Sequence, residues 1–228
     1  AQPGGDEMTG MPYYHRDDEL PRTMPIFPLP GALLLPRGTL PLNIFEPRYV
    51  AMIEDALKTE RLIGMIQPDE ECEDVGAAHV FSIGCAGRIT QFTETDDGRY
   101  LVTLTGVLRF RVGRELPEMD HGYRLIEPDF ASFGDDLRSQ GGTGVIERDI
   151  LIDHLKAFFQ RKQIEANWEA IEKADDESLV TALSMVCPFQ PPEKQALLEA
   201  VDFVARAQTL IALLQMGGGD DEDEVVRQ

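Results

Sequence analysis

The feature that most constrains the fold is a two-residue alternation of apolar and polar side chains over residues 80–112. Asp97-Gly98 interrupts the alternation near its middle, and this pair is typical of a tight hairpin turn. Because side chains two positions apart share one face of a strand, the pattern predicts a long β-hairpin with one buried face. On the second strand the predicted buried face consists of Val102, Leu104, Leu108, Phe110 and Val112.

Shorter strand signals flank the hairpin. They cover residues 24–29, 39–45, 62–66 and 123–127. Pro25 and Pro28 interrupt the first of these, and proline cannot donate to a strand ladder, so we expect that strand at a sheet edge. Pro47 suits the first turn of a helix, where its missing N–H costs nothing. Residues 22–130 are therefore predicted to form a mostly antiparallel sheet or partly closed barrel with one helix.

The second half of the chain has a helical period instead. Leu151, Leu155 and Phe158 share one stripe of a predicted helix. Acidic residues from Asp175 and a proline pair from Pro191 mark the starts of two more helices. With a fourth helix near the end, residues 145–216 are predicted to form a four-helix subdomain, which gives an α+β fold overall.

Three segments lack either period. Residues 131–144 are rich in glycine and predict a linker between the two halves. Residues 1–21 are polar and predict a flexible N-terminal tail. Residues 217–228 begin with three glycines and continue into an acidic run, which predicts a disordered acidic tail.

The charge of the chain excludes some classes of partner. Asp and Glu outnumber Lys and Arg by 41 to 21, so the formal net charge is −20. Such a surface repels nucleic-acid backbones and anionic membranes, and we expect neither as a partner. No apolar run is long enough for a membrane span. The odd, sparse set of Cys72, Cys85 and Cys187 does not suggest a disulfide framework, so we expect a reducing cytoplasm.

The most specific motif is a pair of segments, FPLPG at residues 27–31 and LPLNIFEPRY at residues 40–49. A third segment, EKQALLE at residues 193–199, is followed by Asp202. These segments resemble the N-terminal domain family of Lon proteases, and most closely its stand-alone bacterial members. The resemblance extends over nearly the whole chain.

The resemblance implies a PUA-like β subdomain followed by helices. It also implies a substrate-binding role, because in Lon proteases this domain helps to capture unfolded or tagged polypeptides. The partners it implies are such polypeptides, together with a protease or chaperone. The sequence contains no G-x-x-x-x-G-K-S/T phosphate loop and no counterpart of the Lon serine–lysine dyad, so we expect no enzyme activity and no cofactor.

Two segments are candidates for contacting a client polypeptide. Phe45 and Tyr49 could line an apolar groove with Arg48 at its rim, since Tyr and Arg are enriched where binding energy concentrates. The same residues could equally serve the fold, with Tyr49 packed on the sheet and Arg48 paired with a carboxylate. Leu33, Leu34 and Leu35 either form an exposed client-binding patch or belong to the core.

Two other functional classes remain open from the sequence. A small-molecule enzyme such as a hydrolase could use a cleft between sheet and bundle, although no nucleophile elbow or metal-binding pair of histidines occurs. Asp153 and His154 are adjacent on a helix and so do not face each other. The spacing of Cys72, His79 and Cys85 lacks the close cysteine pair of a zinc site, so no metal is expected.

The other class is an RNA-binding PUA-like module. The alternation places Arg109 and Arg111 on the polar face of the second hairpin strand, and Arg88 and Arg99 lie in the same hairpin. Such a basic stripe could contact phosphates. The excess of acidic residues favours its neutralisation by surface ion pairs.

Overall fold

A computed structural model describes Tyr14 and residues 19–69, 79–117, 122–138 and 146–217. The strands are β1 (Met24–Pro28), β2 (Thr39–Ile44), β3 (Leu62–Ile66), β4 (Ile83–Glu94), β5 (Tyr100–Glu115) and β6 (Arg124–Asp129). The helices are α1 (Pro47–Leu57), α2 (Arg148–Lys162), α3 (Trp168–Lys173), α4 (Asp176–Val186), α5 (Pro191–Glu199) and α6 (Phe203–Met216). A 3-10 helix spans Ala131–Leu137.

The six strands form one mixed sheet in the order β2-β5-β4-β3-β1-β6. All neighbours are antiparallel except β1 and β3. The sheet curls so that β6 also pairs with the far end of β5. That pairing is short and contains a register shift, so the sheet is curled and is not a closed barrel. The predicted α+β class is confirmed.

The long hairpin is confirmed as β4 and β5, but its predicted faces are wrong beyond Gly106. Gly87 pairs with Gly106 and Ala86 with Leu108, so Val107 is an extra residue on β5. Such a β-bulge shifts the alternation by one position. As a result Val102 and Leu104 pack in one apolar cluster, whereas Leu108 and Phe110 pack in another.

The prolines of the first strand predicted a position at the edge of the sheet, and this prediction is wrong. β1 lies between β3 and β6. Its parallel ladder with β3 begins only at Ile26, opposite Gly64, and ends at Pro28. Pro25 therefore precedes the ladder with β3, and Pro28 closes it. In the antiparallel ladder with β6, Pro25 lies opposite Leu125, where its missing N–H leaves one donor position unused.

The predicted helices of the second half start where the sequence indicates, and the structure contains one additional helix. Asp175 accepts a hydrogen bond from the Ser178 N–H at the start of α4, and Gln190 and Glu193 form a capping box on α5. The additional helix is α3, which has six residues and starts at the N-cap Asn167. Among the described residues, five α-helices therefore follow the sheet where four were expected.

Two apolar clusters hold the described residues together. The larger lies between the sheet and helices α1, α2, α4, α5 and α6. The smaller contains Met24, Ile26, Leu108, Phe110 and Ile126, from three strands of the sheet. Tyr14 and Leu20, predicted to lie in a flexible tail, are buried in the smaller cluster. Isolated apolar residues in a polar segment give no periodic signal, and this explains the error.

The predicted linker is also partly wrong. Residues 131–137 form the 3-10 helix, and its Phe133, Asp136 and Leu137 are buried. The glycine-rich part of that linker and the predicted acidic tail lie outside the described residues, apart from Gly217. Among the helices of the described chain, none has the length and apolar character needed to span a membrane.

Candidate functional site

The segment between β2 and α1 presents one large apolar side chain to solvent. Phe45 follows the last residue of β2 and is 65% exposed. Glu46 is the N-cap of α1, and its carboxylate accepts hydrogen bonds from Arg48 rather than capping the helix. The Arg48 guanidinium lies 4.5 Å from the centre of the Tyr49 ring. The Arg48 guanidinium thus contacts both the Glu46 carboxylate and the Tyr49 ring, three positions after Phe45 in the chain.

Tyr49 does not line a groove in this structure. It is only 8% exposed, and its ring centre lies 4.2 Å from that of Phe27. Burial raises the pKa of its hydroxyl, against the opposing effect of Arg48. Tyr49 therefore packs the start of α1 against Phe27 of β1. Arg48 and Phe45 are the accessible residues of this segment.

The end of the hairpin brings two more exposed apolar side chains to the same end of the sheet. Asn43 pairs with Leu101, and Val102 pairs with both Leu42 and Phe92. Leu101 and Phe92 are both substantially exposed. Phe92 pairs with Val102, so its side chain lies on the opposite face of the sheet from Leu101. We call Phe45 and Leu101 the apolar rim. Phe45 follows Asn43, the partner of Leu101, by two positions, so both expose apolar surface at this end of a highly acidic protein.

Two tyrosine hydroxyl groups join α1 to β5 and to the segment before β6. The Tyr100 hydroxyl donates to the Glu54 carboxylate at 2.8 Å, and its ring contacts Phe92 edge-on at 4.8 Å. The Tyr123 hydroxyl donates to Asp55 at 2.9 Å. Burial and that hydrogen bond raise the pKa of Tyr123 to about 12. Two side-chain hydrogen bonds thus connect the helix that follows Phe45 to the sheet.

The outer edge of β2 is open beside the apolar rim. Within the described part of the chain, β2 pairs with β5 alone. Pro41, in the middle of β2, has no N–H. It fits a continuous ladder with β5 only if its backbone nitrogen points away from β5, toward the open edge. Thr39 and Asn43 are two positions away on either side and share this direction. The edge therefore offers N–H and carbonyl groups to an extended segment, with one donor missing at Pro41.

Leu33, Leu34 and Leu35 are all buried, which answers the question that the sequence left open. Their loop crosses the larger apolar cluster and reaches the glycines of the hairpin. The Arg37 N–H donates to the Gly106 carbonyl, and the Gly106 N–H donates to the Gly38 carbonyl, both at 2.8 Å. These leucines belong to the core in this structure, and a client could contact them only if the loop left it.

A buried ion pair that the sequence did not reveal joins the sheet to the helices. Arg109 donates from Nε and from one terminal nitrogen to the Asp136 carboxylate, at 2.8 and 2.9 Å. Its other terminal nitrogen donates to the carbonyls of Leu198 and Ala200 at the end of α5. Both charged side chains are about nine-tenths buried. Because of the bulge at Val107, the Arg109 side chain lies on the face of β5 that packs against the helices. Simple alternation along the sequence places it on the solvent face and therefore does not predict this contact.

The basic stripe considered for RNA binding is therefore dispersed. Arg109 is buried against Asp136. Arg99 pairs with Asp97 at 2.9 Å, and Arg88 donates to the Glu60 carbonyl and the Tyr14 hydroxyl. Arg111 is exposed, and one such residue does not make the basic face that phosphate binding requires.

The described residues considered for metal chemistry do not form a cluster. Within the described ranges, no three His, Cys, Asp or Glu side chains lie close enough to hold a metal ion. Cys85 is buried, and burial raises the pKa of its thiol. Cys72 lies outside the described residues. His154 contacts the Gln215 side-chain amide at 2.8 Å and has Asp153 only as a chain neighbour.

Comparison with known sequences identifies one family. The sequence model for the ATP-dependent protease La (LON) substrate-binding domain matches residues 23–216. Lon protease 2 of Myxococcus xanthus is 29% identical over 204 residues, covering 86% of this chain and 24% of that protein. Lon protease of Anaeromyxobacter dehalogenans is 29% identical over 216 residues, covering 90% and 24%. The chain thus spans about a quarter of the length of these relatives.

Comparison with solved structures gives the same fold. A Lon N-terminal domain protein from Xanthomonas campestris has a TM-score of 0.58 at 22% identity, covering 83% of this chain and 97% of that one. The N-terminal domain of the Mycobacterium avium complex Lon protease has a TM-score of 0.57 at 18% identity, covering 85% and 98%. At such identities the likeness concerns the fold.

Proposed function

This chain belongs to the ATP-dependent protease La (LON) substrate-binding domain family, and on that premise we propose that it captures unfolded or tagged polypeptide segments without transforming them. An open strand edge with exposed apolar residues at its end carries this proposal. The relatives are Lon proteases, and the captured segments are therefore delivered to a protease in this proposal. The protein then serves as an adaptor or a holdase.

The proposed binding mode is strand addition. An extended client segment pairs with the outer edge of β2, where main-chain hydrogen bonds are independent of the client's sequence. Phe45 and Leu101 at the end of that edge provide apolar contacts. Arg48, in the same sequence motif as Phe45, donates hydrogen bonds to polar groups of the client. This combination suits unfolded clients, because an unfolded chain has extended segments whose backbone groups are not already paired and whose apolar side chains are not already buried.

We expect Phe45→Ala to weaken binding of an unfolded polypeptide about tenfold, because a solvent-exposed aromatic anchor commonly contributes a kilocalorie or more. Leu101→Ala should have a smaller effect in the same direction, and the two together a larger one. The measurement is fluorescence anisotropy of a labelled, permanently unfolded polypeptide titrated with each variant. The melting temperature should not change, since both side chains are largely exposed.

Val186→Ala and Val201→Ala are the matched controls. Both side chains are apolar and more exposed than Phe45, but they lie at the end of α4 and before α6. They should bind the unfolded polypeptide like the unaltered protein. Equal losses in all four variants would mean that any exposed apolar residue serves, and the assignment to the end of β2 would then be wrong.

A further inference from the structure

Two adjoining clefts lie along the outer side of α2. One is lined by His154, Ala157, Gln160, Arg161, Leu214 and Gln215. The other is lined by Lys156, Phe159, Gln160, Ile164 and Trp168. Because Gln160 belongs to both, we treat them as one surface and call it the α2 groove. Its first part is polar and basic, and its second part is apolar and aromatic.

The α2 groove differs in charge from the rest of the protein. Asp and Glu make up 41 of the 228 residues, yet the described residues that line the groove include neither. Its cations are held in place by other contacts. Arg161 donates to the Leu214 carbonyl at 2.7 Å, and the Lys156 ammonium lies 5.8 Å from the centre of the Trp168 ring. The groove therefore presents positive charge next to the half-buried Trp168 ring.

The chain itself leaves α6 at the basic part of this groove. Gly217 ends the helix with a φ of 92°, a conformation that suits glycine. A side-chain carbon built on Gly217 would lie 3.5 Å from a terminal nitrogen of Arg161. Residues 218–228, which the structure does not describe, thus start within contact distance of the groove.

The sequence after Gly217 matches the groove in order and in chemistry. Five consecutive acids occupy positions 220–224, and Val225-Val226 follows them. The groove likewise has Arg161 nearest to Gly217 and the cleft around Trp168 beyond it. The segment from Gly217 to Val225 can extend over about 26 Å at roughly 3.3 Å per residue. Arg161 and Lys156 are only about 7.5 Å apart along the helix, at roughly 1.5 Å per residue.

We propose that residues 220–226 dock in the α2 groove of their own chain, with the acidic run against Arg161 and Lys156 and the two valines against Phe159, Ile164 and Trp168. Attachment through a short glycine segment gives the docked segment a high effective concentration, so individually weak contacts suffice. The ionic part of the docking weakens as salt screens the charges. This interaction is separate from client capture at the apolar rim.

Trp168 is the single tryptophan of the chain, so its fluorescence reports on the groove in the full-length protein. We expect acrylamide to quench Trp168 about twofold more efficiently at about 0.5 M NaCl than at about 0.02 M, because salt releases the segment. A variant with Asp220→Asn, Asp221→Asn, Glu222→Gln, Asp223→Asn and Glu224→Gln should show the higher quenching at both salt concentrations.

The matched control neutralises five acids elsewhere, by Asp6→Asn, Glu7→Gln, Asp17→Asn, Asp18→Asn and Asp96→Asn. It should behave like the unaltered protein. Equal quenching in all three proteins at low salt would overturn the proposal, as would the same increase in both variants. Shielding of Trp168 that depends on protein concentration would also overturn it, because a second copy would then cover the groove.

Discussion

Replacing Arg109 by methionine is expected to lower the free energy of unfolding by about 3–5 kcal/mol, as is typical when one partner of a buried ion pair is removed. The Asp136 carboxylate would remain buried without its cation, and the Leu198 and Ala200 carbonyls would lose their donor. Methionine keeps the apolar stem of the side chain, so the loss reports mainly on the charge. Urea denaturation followed by circular dichroism measures it.

The double variant Arg109→Met with Asp136→Leu tests the cause of this loss. If an unpaired buried carboxylate is responsible, the second substitution should restore part of the lost stability. Arg114→Met is the matched control, because Arg114 pairs with Glu127 on the surface. It should leave the denaturation midpoint nearly unchanged. Similar midpoints for Arg109→Met and Arg114→Met would show that the buried pair does not join the sheet to the bundle.

Gly106→Ala is expected to destabilise the protein by about 3 kcal/mol, at the upper end of the usual cost of overpacking. A methyl group at this position of β5 would lie far inside contact distance of the Leu35 carbonyl oxygen, which is backbone and cannot rotate away. Accommodating it requires the leucine loop to move off the sheet. Thermal or urea unfolding of the variant gives the magnitude.

Gly134→Ala is the control for this substitution. Gly134 lies in the 3-10 helix, and a methyl group there would meet no atom within 4 Å. It should leave stability nearly unaltered. If Gly106→Ala were as stable as Gly134→Ala, the leucine loop would not be held against β5 as described. Its leucines could then be accessible to a client.

The local elements could be predicted because each carries its own signal. The hairpin follows from period-two alternation and the Asp97-Gly98 turn, and α1 follows from Pro47. What the sequence could not reveal is the extra residue at Val107. No side chain marks a bulge between two apolar strands, so the alternation was extended through it and placed Arg109 on the wrong face.

Burial in irregular segments was the other limit. Tyr14 and the residues of the 3-10 helix pack into the cores although their segments show neither strand nor helix period. Composition alone assigned them to a tail and a linker. Asp136 illustrates the difficulty, since a charged residue in a glycine-containing segment is usually solvated, and only its partner Arg109 makes its burial favourable.

Part of the surface that we propose for binding could be predicted from the sequence. The sequence motif directed attention to residues 45–49, and Phe45 and Arg48 are accessible there. The sequence does not predict that Leu101 lies near Phe45, because their proximity depends on the pairing register of β2 and β5. Register between distant segments is a tertiary property, which a single sequence does not report.

Hydrogen exchange on the protein with and without a saturating unfolded polypeptide tests the central claim most directly. Strand addition at the open edge predicts that amide exchange slows in β2, above all at Thr39 and Asn43, whose N–H groups lie on the side of β2 that faces away from β5. Slower exchange confined to helices α2–α6, or no change in β2 at saturation, would contradict capture at this end of the sheet.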